Sequence, residues 1–169
     1  MKQFFGLILT AALTMSLVSG PSYNESAEAA KPTDVDWLKQ VKTTAAKAKS
    51  LDGKVTLEKT TLAQVHSAYK GEKNSTWCQS GKGLVAPNKA IHYCSTFGVP
   101  DRKAKVSAIV YNPKMIGRTI TVKEVKKAYS TAKLDKTFNL MTISTKEVNI
   151  YLNLNSDRTQ VMSILVKYN

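Results

Sequence analysis

Two stretches of the sequence repeat one pattern of polar and apolar positions. The segment TLAQVHSAY runs from Thr61 to Tyr69, and TVKEVKKAY runs from Thr121 to Tyr129. In each, a threonine is followed three residues later by glutamine or glutamate, which is the capping box that opens a helix. The apolar positions behind the boxes also match: Leu62, Val65, Ala68 and Tyr69 in the first segment, and Val122, Val125, Ala128 and Tyr129 in the second. The pattern predicts two equivalent amphipathic helices.

Strand-like alternation follows each predicted helix. It is clearest in VNIYLNL, residues 148–154, where every second residue is apolar. In the first half, STWCQSGKG and AIHYCSTF are predicted strands on either side of a turn region, LVAPNK. The closing segments, DRKAKVSAIVYN (101–112) and DRTQVMSILVKY (157–168), align at an offset of 56 residues, whereas the helices align at 60. The first half is therefore expected to carry four extra residues, which we place in the loop 81–88.

A further helix is predicted ahead of the repeated part. In DVDWLKQVKTTAAKAKSLDG, Leu38, Val41, Ala45 and Ala48 share one helical face, Thr33 or Asp34 can cap the start, and Gly53 lies just past the end. The sequence thus predicts an α+β fold: an N-terminal helix and then two tandem helix-plus-antiparallel-sheet repeats in one compact domain. The expected boundaries are 30–53 for the leader and first helix, 54–113 for repeat 1, and 114–169 for repeat 2.

Residues 1–29 have the features of a signal peptide. Lys2 precedes the apolar run FFGLILTAALTMSLV, and Ala27-Glu28-Ala29 fits a small-x-small cleavage site, so cleavage is expected after Ala29. The segment LVSGP resembles a lipoprotein box, but Pro21 stands where the lipidated cysteine would be. We therefore expect a secreted, extracellular protein with no stable membrane anchor. The alternative is an uncleaved N-terminal anchor.

The chain is strongly basic, with a formal net charge of +13. Only three of its 25 basic residues are arginines (Arg102, Arg118 and Arg158). Arginine supplies the bidentate fork of base readout, whereas lysine acts as a point charge. The balance indicates diffuse attraction to a polyanion rather than sequence-specific nucleic-acid binding. The alternative is that the charge only confers solubility.

Cys78 and Cys94 are the only cysteines. An even cysteine count in an exported chain indicates a disulfide. We expect the two residues to lie on neighbouring strands of the first repeat. A metal site is not indicated, because no second histidine or cysteine pair lies nearby at ligand spacing.

The exported leader, the first helix, the two nine-residue segments and the closing strands resemble the YjgB-like family of secreted bacterial proteins, a domain of unknown function. The tandem arrangement is also similar to the beta-lactamase inhibitory protein and to small outer-membrane-assembly lipoproteins. The resemblance implies a concave sheet surface that binds a protein. It supplies no activity and no catalytic residue.

Catalytic residues are not indicated, because neither His66 nor His92 has a carboxylate or nucleophile at a spacing typical of a catalytic motif. No cofactor is expected either, since the glycine-lysine-glycine segment 81–83 is too short for a phosphate loop. Aromatic and basic residues near the cysteines and on the second-half strand are the candidate binding residues: Trp77, Lys82, Lys89, Tyr93 and Tyr151. Aromatic side chains serve cores as well as interfaces, so a core position is the alternative for each of them.

Together these features predict a non-enzymatic binding module. The expected partner is an extracellular protein or an anionic cell-wall polymer, bound through the sheet surface and the first-half loop. The alternative function is an inhibitor or immunity-type protein that blocks a secreted enzyme, by analogy with the inhibitory protein.

Overall fold

The structure of the protein is a computed structural model, which describes residues 32–70, 72–73, 75–78 and 82–169. The predicted signal peptide, 1–29, and its cleavage site lie outside the described residues. Within the described ranges the chain forms helices α1 (Asp34–Ala45), α2 (Leu62–Tyr69) and α3 (Val122–Ala128), and a short 3-10 helix (Lys114–Ile116). The strands are β1 (Glu72–Lys73), β2 (Gly83–Val85), β3 (Ile91–Ser95), β4 (Val106–Tyr111), β5 (Lys133–Asp135), β6 (Leu140–Ser144), β7 (Val148–Leu154) and β8 (Val161–Tyr168).

All eight strands belong to one antiparallel sheet, in the order β1-β2-β3-β4-β8-β7-β6-β5. Each half of the chain forms a meander of four strands, and the two meanders meet where β4 pairs with β8. The α+β class is confirmed, with the sheet as the dominant element. The outermost strand of each half, β1 or β5, is short, with two and three residues respectively.

The α1 helix begins as the sequence predicts but ends earlier. Thr33 caps it by accepting a hydrogen bond from the Asp36 N–H at 3.2 Å. The helix stops at Ala45 rather than near Gly53, because the chain turns at Ala48, where φ is +53°. After this turn the chain doubles back to bury Val55 and Leu57, which a continuing helix could not do.

Both predicted capping boxes are present. In α2 the Gln64 N–H donates to Thr61 Oγ1 at 3.3 Å, and the Thr61 N–H donates to Gln64 Oε1 at 2.8 Å. In α3 the Thr121–Glu124 pair repeats these bonds at the same distances. The α2 helix ends at Tyr69, and its C-cap residue Lys70 adopts a left-handed conformation, with φ at +50°.

The main core lies between the helices and one face of the sheet. Trp37, Leu38 and Val41 of α1 pack there, together with side chains of α2 and α3. The strands contribute their alternate residues, as in β7, where Val148, Ile150 and Leu152 are fully buried (0 % exposed). The alternation predicted for residues 148–154 is confirmed. None of the helices in the described part of the chain has the length and apolar character needed to cross a membrane.

The loop after α1 is fixed by a carboxylate network. Asp52 accepts hydrogen bonds from the Ser50 hydroxyl at 2.6 Å, the Lys54 N–H at 3.1 Å and the Tyr69 hydroxyl. Partial burial raises the pKa of Asp52, but these bonds outweigh it, so that its pKa lies below the ordinary 3.8. Burial and the bond to Asp52 raise the pKa of Tyr69 to about 12. The network ties the loop to the end of α2.

Candidate functional site

The two faces of the sheet differ in their cover. The helices supply side chains to the core on one face only. On the other face, which we call the open face, a separate small cluster consists of Cys78, Cys94, Ala108 and Val110, with Leu165 packed against it. No described helix contributes to this cluster. The open face is therefore where a ligand can reach the sheet.

The disulfide between Cys78 and Cys94 is present, with the two Cα atoms 5.3 Å apart. Its predicted placement on two neighbouring strands is wrong for Cys78, which lies in the connection between β1 and β2. The strand residue opposite Cys94 is Gly83. A Cβ atom at Gly83 would collide with Cys78 Sγ and would lie 2.6 Å from the Tyr93 carbonyl oxygen. The missing side chain of Gly83 thus leaves the space through which the β1–β2 connection crosses the strand.

A depression of about 480 Å³ lies on the open face beside the disulfide. Its floor and walls come from both halves of the chain, on either side of the β4–β8 junction. The lining residues are Trp77, Cys94, Ser95, Thr96, Ser107, Ala108, Val110, Asn153, Ser163, Leu165 and Lys167. The hydroxyl and amide groups among them offer hydrogen bonds, and Lys167 adds a positive charge. Concave surfaces that combine apolar walls with a few polar groups are typical of ligand sites.

Two buried residues, Ser75 and His92, hold Trp77 at the depression. Its indole ring stacks on the ring of His92, with the centroids 5.4 Å apart, and 42 % of Trp77 remains exposed. His92 Nδ1 lies 2.7 Å from Ser75 Oγ, which also accepts the Trp77 N–H at 3.2 Å. Burial lowers the pKa of His92, so the ring beneath Trp77 is neutral at pH 7.

The Ser75–His92 pair combines a nucleophile type with a base type, but both residues are buried, with 1 % and 4 % exposed. The serine oxygen already accepts the Trp77 N–H. The pair therefore serves to orient Trp77 in this conformation. Among the described residues no group of three or more histidine, cysteine, aspartate or glutamate side chains could hold a metal ion.

The five candidate binding residues do not lie together. Trp77 lines the depression, and Tyr151 is half-buried on the open face as the cross-strand neighbour of Leu165. Tyr93 is 0 % exposed and packs in the main core, so its proposed binding role is corrected. Its side chain points to the helix side because Cys94, the next residue along β3, points to the open face.

The two candidate lysines do not line the depression. Lys82 forms an ion pair with Asp101 at 3.1 Å and donates to the Val99 carbonyl oxygen. These contacts hold the β3–β4 loop in place. Lys89 is exposed in the β2–β3 turn with φ at +55°, at the opposite end of β3 from Cys94. Neither lysine is among the residues that line the depression.

The second-half residues of the depression were missed at the level of sequence. Ser163, Leu165 and Lys167 alternate along β8 with the core residues Ile164 and Val166. In VMSILVKY only Ser163 and Lys167 are polar, and three consecutive apolar residues separate them, so the sequence could have assigned those two residues to the open face but not Leu165. Their position beside Cys94 depends on the pairing of β4 with β8, which the repeat pattern does not specify.

The fold and this geometry define an α+β protein with helices on one face of an eight-stranded antiparallel sheet and a ligand-sized depression on the other. The structure is similar to the crystal structure of a DUF4309 family protein (YjgB) from Bacillus subtilis subsp. subtilis str. 168. The TM-score is 0.55 at 13 % sequence identity, and the match covers 80 % of this chain and 97 % of that chain. No protein-family model and no curated protein matches the sequence.

At this identity the likeness to YjgB concerns the fold alone. It confirms that the chain has the fold of the YjgB-like domain of unknown function. The resemblance to the beta-lactamase inhibitory protein, and the inhibitor function that depended on it, stay predictions.

Proposed function

We propose that the protein is an extracellular, non-enzymatic binding module whose open face binds an anionic cell-wall polymer. The observation that carries this proposal is the depression beside Trp77. The exposed part of the indole ring, the polar groups of Asn153 and Ser163, and the ammonium group of Lys167 all border one concavity. An aromatic surface beside hydrogen-bonding groups suits a sugar ring, and the lysine suits an anionic substituent on it.

The charge of the whole chain supports an anionic polymer as the ligand. A net charge of +13 carried almost entirely by lysine attracts polyanions over many orientations without demanding a fixed geometry. Such attraction concentrates the protein along a charged polymer, while the depression supplies the local contact. The strength of retention should therefore fall as salt screens the charges.

The extracellular setting is supported by the predicted signal peptide and by the Cys78–Cys94 disulfide. Disulfides persist mainly in oxidising compartments. Sequencing the N-terminus of material recovered from the medium tests this part of the proposal, with Ala30 as the expected first residue. Full-length protein confined to the membrane fraction would contradict it.

Retention on purified cell walls tests the binding function. The wild-type protein should bind walls in low salt and be released as salt rises. Trp77→Ala and Lys167→Glu should each weaken the retention of the folded protein. Lys167→Glu should not lower the melting temperature because Lys167 is exposed, whereas Trp77→Ala also removes the ring that stacks on His92, so its retention is measured well below its melting temperature. Met115→Ala and Lys123→Glu are matched controls, since both residues are exposed and neither lines the depression.

Two treatments of the walls separate the partner classes. Chemical removal of the anionic polymer should abolish retention, whereas digestion of wall proteins should not affect it. The reverse result would assign the open face to an extracellular protein partner. Equal weakening by the control variants would show that retention depends on total charge rather than on the depression.

We also propose that the two halves of the chain are copies of one unit, and that the chain is a distant relative of the YjgB-like family. Support comes from isolated bridges that join each helix cap to the segment before the final strand, Thr61 to Lys105 and Thr121 to Gln160. The strand pairs β3–β4 and β7–β8 also both contain a register shift. These bridges align the final strands at an offset of 55 residues, one fewer than the sequence alignment of 56.

A further inference from the structure

The β5 strand forms one edge of the sheet, and its outer side has no partner strand among the described residues. All three of its residues, Lys133, Leu134 and Asp135, are exposed. An unpaired edge presents backbone N–H and C=O groups to any strand that can align with it. Proteins usually block such edges with charged side chains, especially lysine, and like charges directly opposite one another disfavour pairing with a second copy.

The charges on β5 are instead complementary to those on β5 of a second copy. Lys133 and Asp135 are two residues apart and therefore lie on the same side of the strand. In an antiparallel pairing of two β5 strands centred on Leu134, Lys133 of each copy lies opposite Asp135 of the other. Opposite charges placed directly across two strands stabilise the pair, and like charges destabilise it. Neither residue forms an ion pair with another described residue.

Apolar surface at the same edge would be covered by this pairing. Leu134 lies opposite Met141, a core residue, so its side chain is on the helix side of the sheet, where 36 % of it is exposed. Phe138, in the turn that follows β5, is 74 % exposed. Pairing two copies would bring the two Leu134 side chains together next to the existing core.

Hydrogen bonds to both ends of the turn after β5, residues 136–139, fix the conformation of the strand. Asp135 Oδ1 accepts the Thr137 N–H at 2.8 Å and the Phe138 N–H at 3.2 Å. Arg158, from the β7–β8 loop, donates to the Lys136 carbonyl oxygen at 3.0 Å and to Asn139 Oδ1 at 2.7 Å. A strand fixed in this way loses little conformational freedom when it pairs.

We propose that β5 pairs with β5 of a second copy of this chain, in an antiparallel dimer centred on Leu134. The sheet then runs continuously through both copies, with a twofold axis perpendicular to it. Such an axis leaves the open faces of both copies on the same side. The dimer would present two depressions to one polymer and would gain avidity from simultaneous binding.

Sedimentation equilibrium of the purified protein, without any ligand, tests the dimer separately from the proposed function. As the concentration of wild-type protein is raised to about 1 mM, a dimer should appear. Lys133→Asp and Asp135→Lys each place like charges opposite one another, so each should weaken dimerisation by about tenfold or more. Mixing the two variants should restore a heterodimer, because the aspartates of one strand then face the lysines of the other.

The charge-swapped double variant, Lys133→Asp with Asp135→Lys, should also dimerise. Circular dichroism melting checks that each variant is folded. If Asp135→Lys does not fold, Lys133→Asp still tests the proposal, because it keeps the hydrogen bonds of Asp135 to the following turn. A wild-type protein that is monomeric up to this concentration overturns the proposal. So do single variants that dimerise like the wild type, or a mixture of folded variants that stays monomeric.

Discussion

Gly83 determines how the disulfide crosses the sheet. The Cys78 sulfur occupies the space where any other residue at position 83 would place its Cβ atom. A glycine in a strand usually weakens that strand, and here it permits the close approach of a covalent link. The small apolar cluster on the open face therefore depends on Gly83 as well as on the two cysteines.

Gly83→Ala should destabilise the folded protein by roughly 1–3 kcal/mol, the usual range for overpacking. The cost should be smaller in a Cys78→Ala/Cys94→Ala background, because the sulfur that collides with the new methyl group is gone. Gly98→Ala is the control. Gly98 has a positive φ and open space around it, so its cost should not depend on the cysteines. Urea unfolding of the unchanged protein, Gly83→Ala and Gly98→Ala, each with and without the cysteines, measures these differences. An equal cost of Gly83→Ala in both backgrounds would contradict the placement of the Cys78 sulfur over Gly83.

Asp52 predicts how stability depends on pH. Its pKa in the folded protein is lower than the ordinary 3.8, so the unfolded chain takes up its proton at a higher pH. The stabilisation from this carboxylate is therefore complete above the unfolded pKa and is lost as the pH falls through the folded value. Asp52→Asn should be less stable than wild type at pH 6, and the difference should shrink below pH 4.

Chemical denaturation at several pH values checks the Asp52 prediction. Asp157→Asn, in the exposed β7–β8 turn, controls for the removal of one negative charge from a basic chain. A difference between Asp52→Asn and wild type that stayed constant down to pH 2 would exclude the Asp52 network as its cause.

At the scale of elements, the helices that follow Thr61 and Thr121 depend on their caps. Thr61→Ala and Thr121→Ala should each lower stability by about 1 kcal/mol, because each removes the acceptor of the N3 backbone N–H. Thr→Ser at either position should retain most of the stability. The measurement is the free energy of unfolding, with wall retention of the folded protein unchanged. A much larger loss at one cap than at the other would contradict their equivalence.

Several elements could be predicted because their signals are local. The capping boxes fixed the starts of α2 and α3, and strict alternation identified β7. The edge strands β1 and β5, with two and three residues, are too short to show a period. The end of α1 depends on the burial of Val55 and Leu57, a tertiary contact that outweighs the helical pattern of the preceding residues.

At the scale of the whole molecule, the depression belongs to neither half alone. Four of the five candidate binding residues predicted from the sequence lie in the cysteine-containing first half, and only Tyr151 lies in the second. In the structure, Cys94 and Ala108 come from the first half, whereas Asn153 and Lys167 come from the second. The junction of β4 with β8 brings them together. The pairing of one half with the other cannot be located from the sequence pattern within either half.

The most direct test of the account is a residue-level map of polymer binding. Amide and indole chemical shifts of isotope-labelled protein would be followed by NMR while soluble anionic cell-wall polymer is added. We expect the largest changes at the Trp77 indole N–H and at the backbone of Cys94, Leu165 and Lys167, with the exposed helical lysines affected less. Changes confined to the helix side of the sheet, or uniform small changes over all lysines, would contradict the open face as the binding surface.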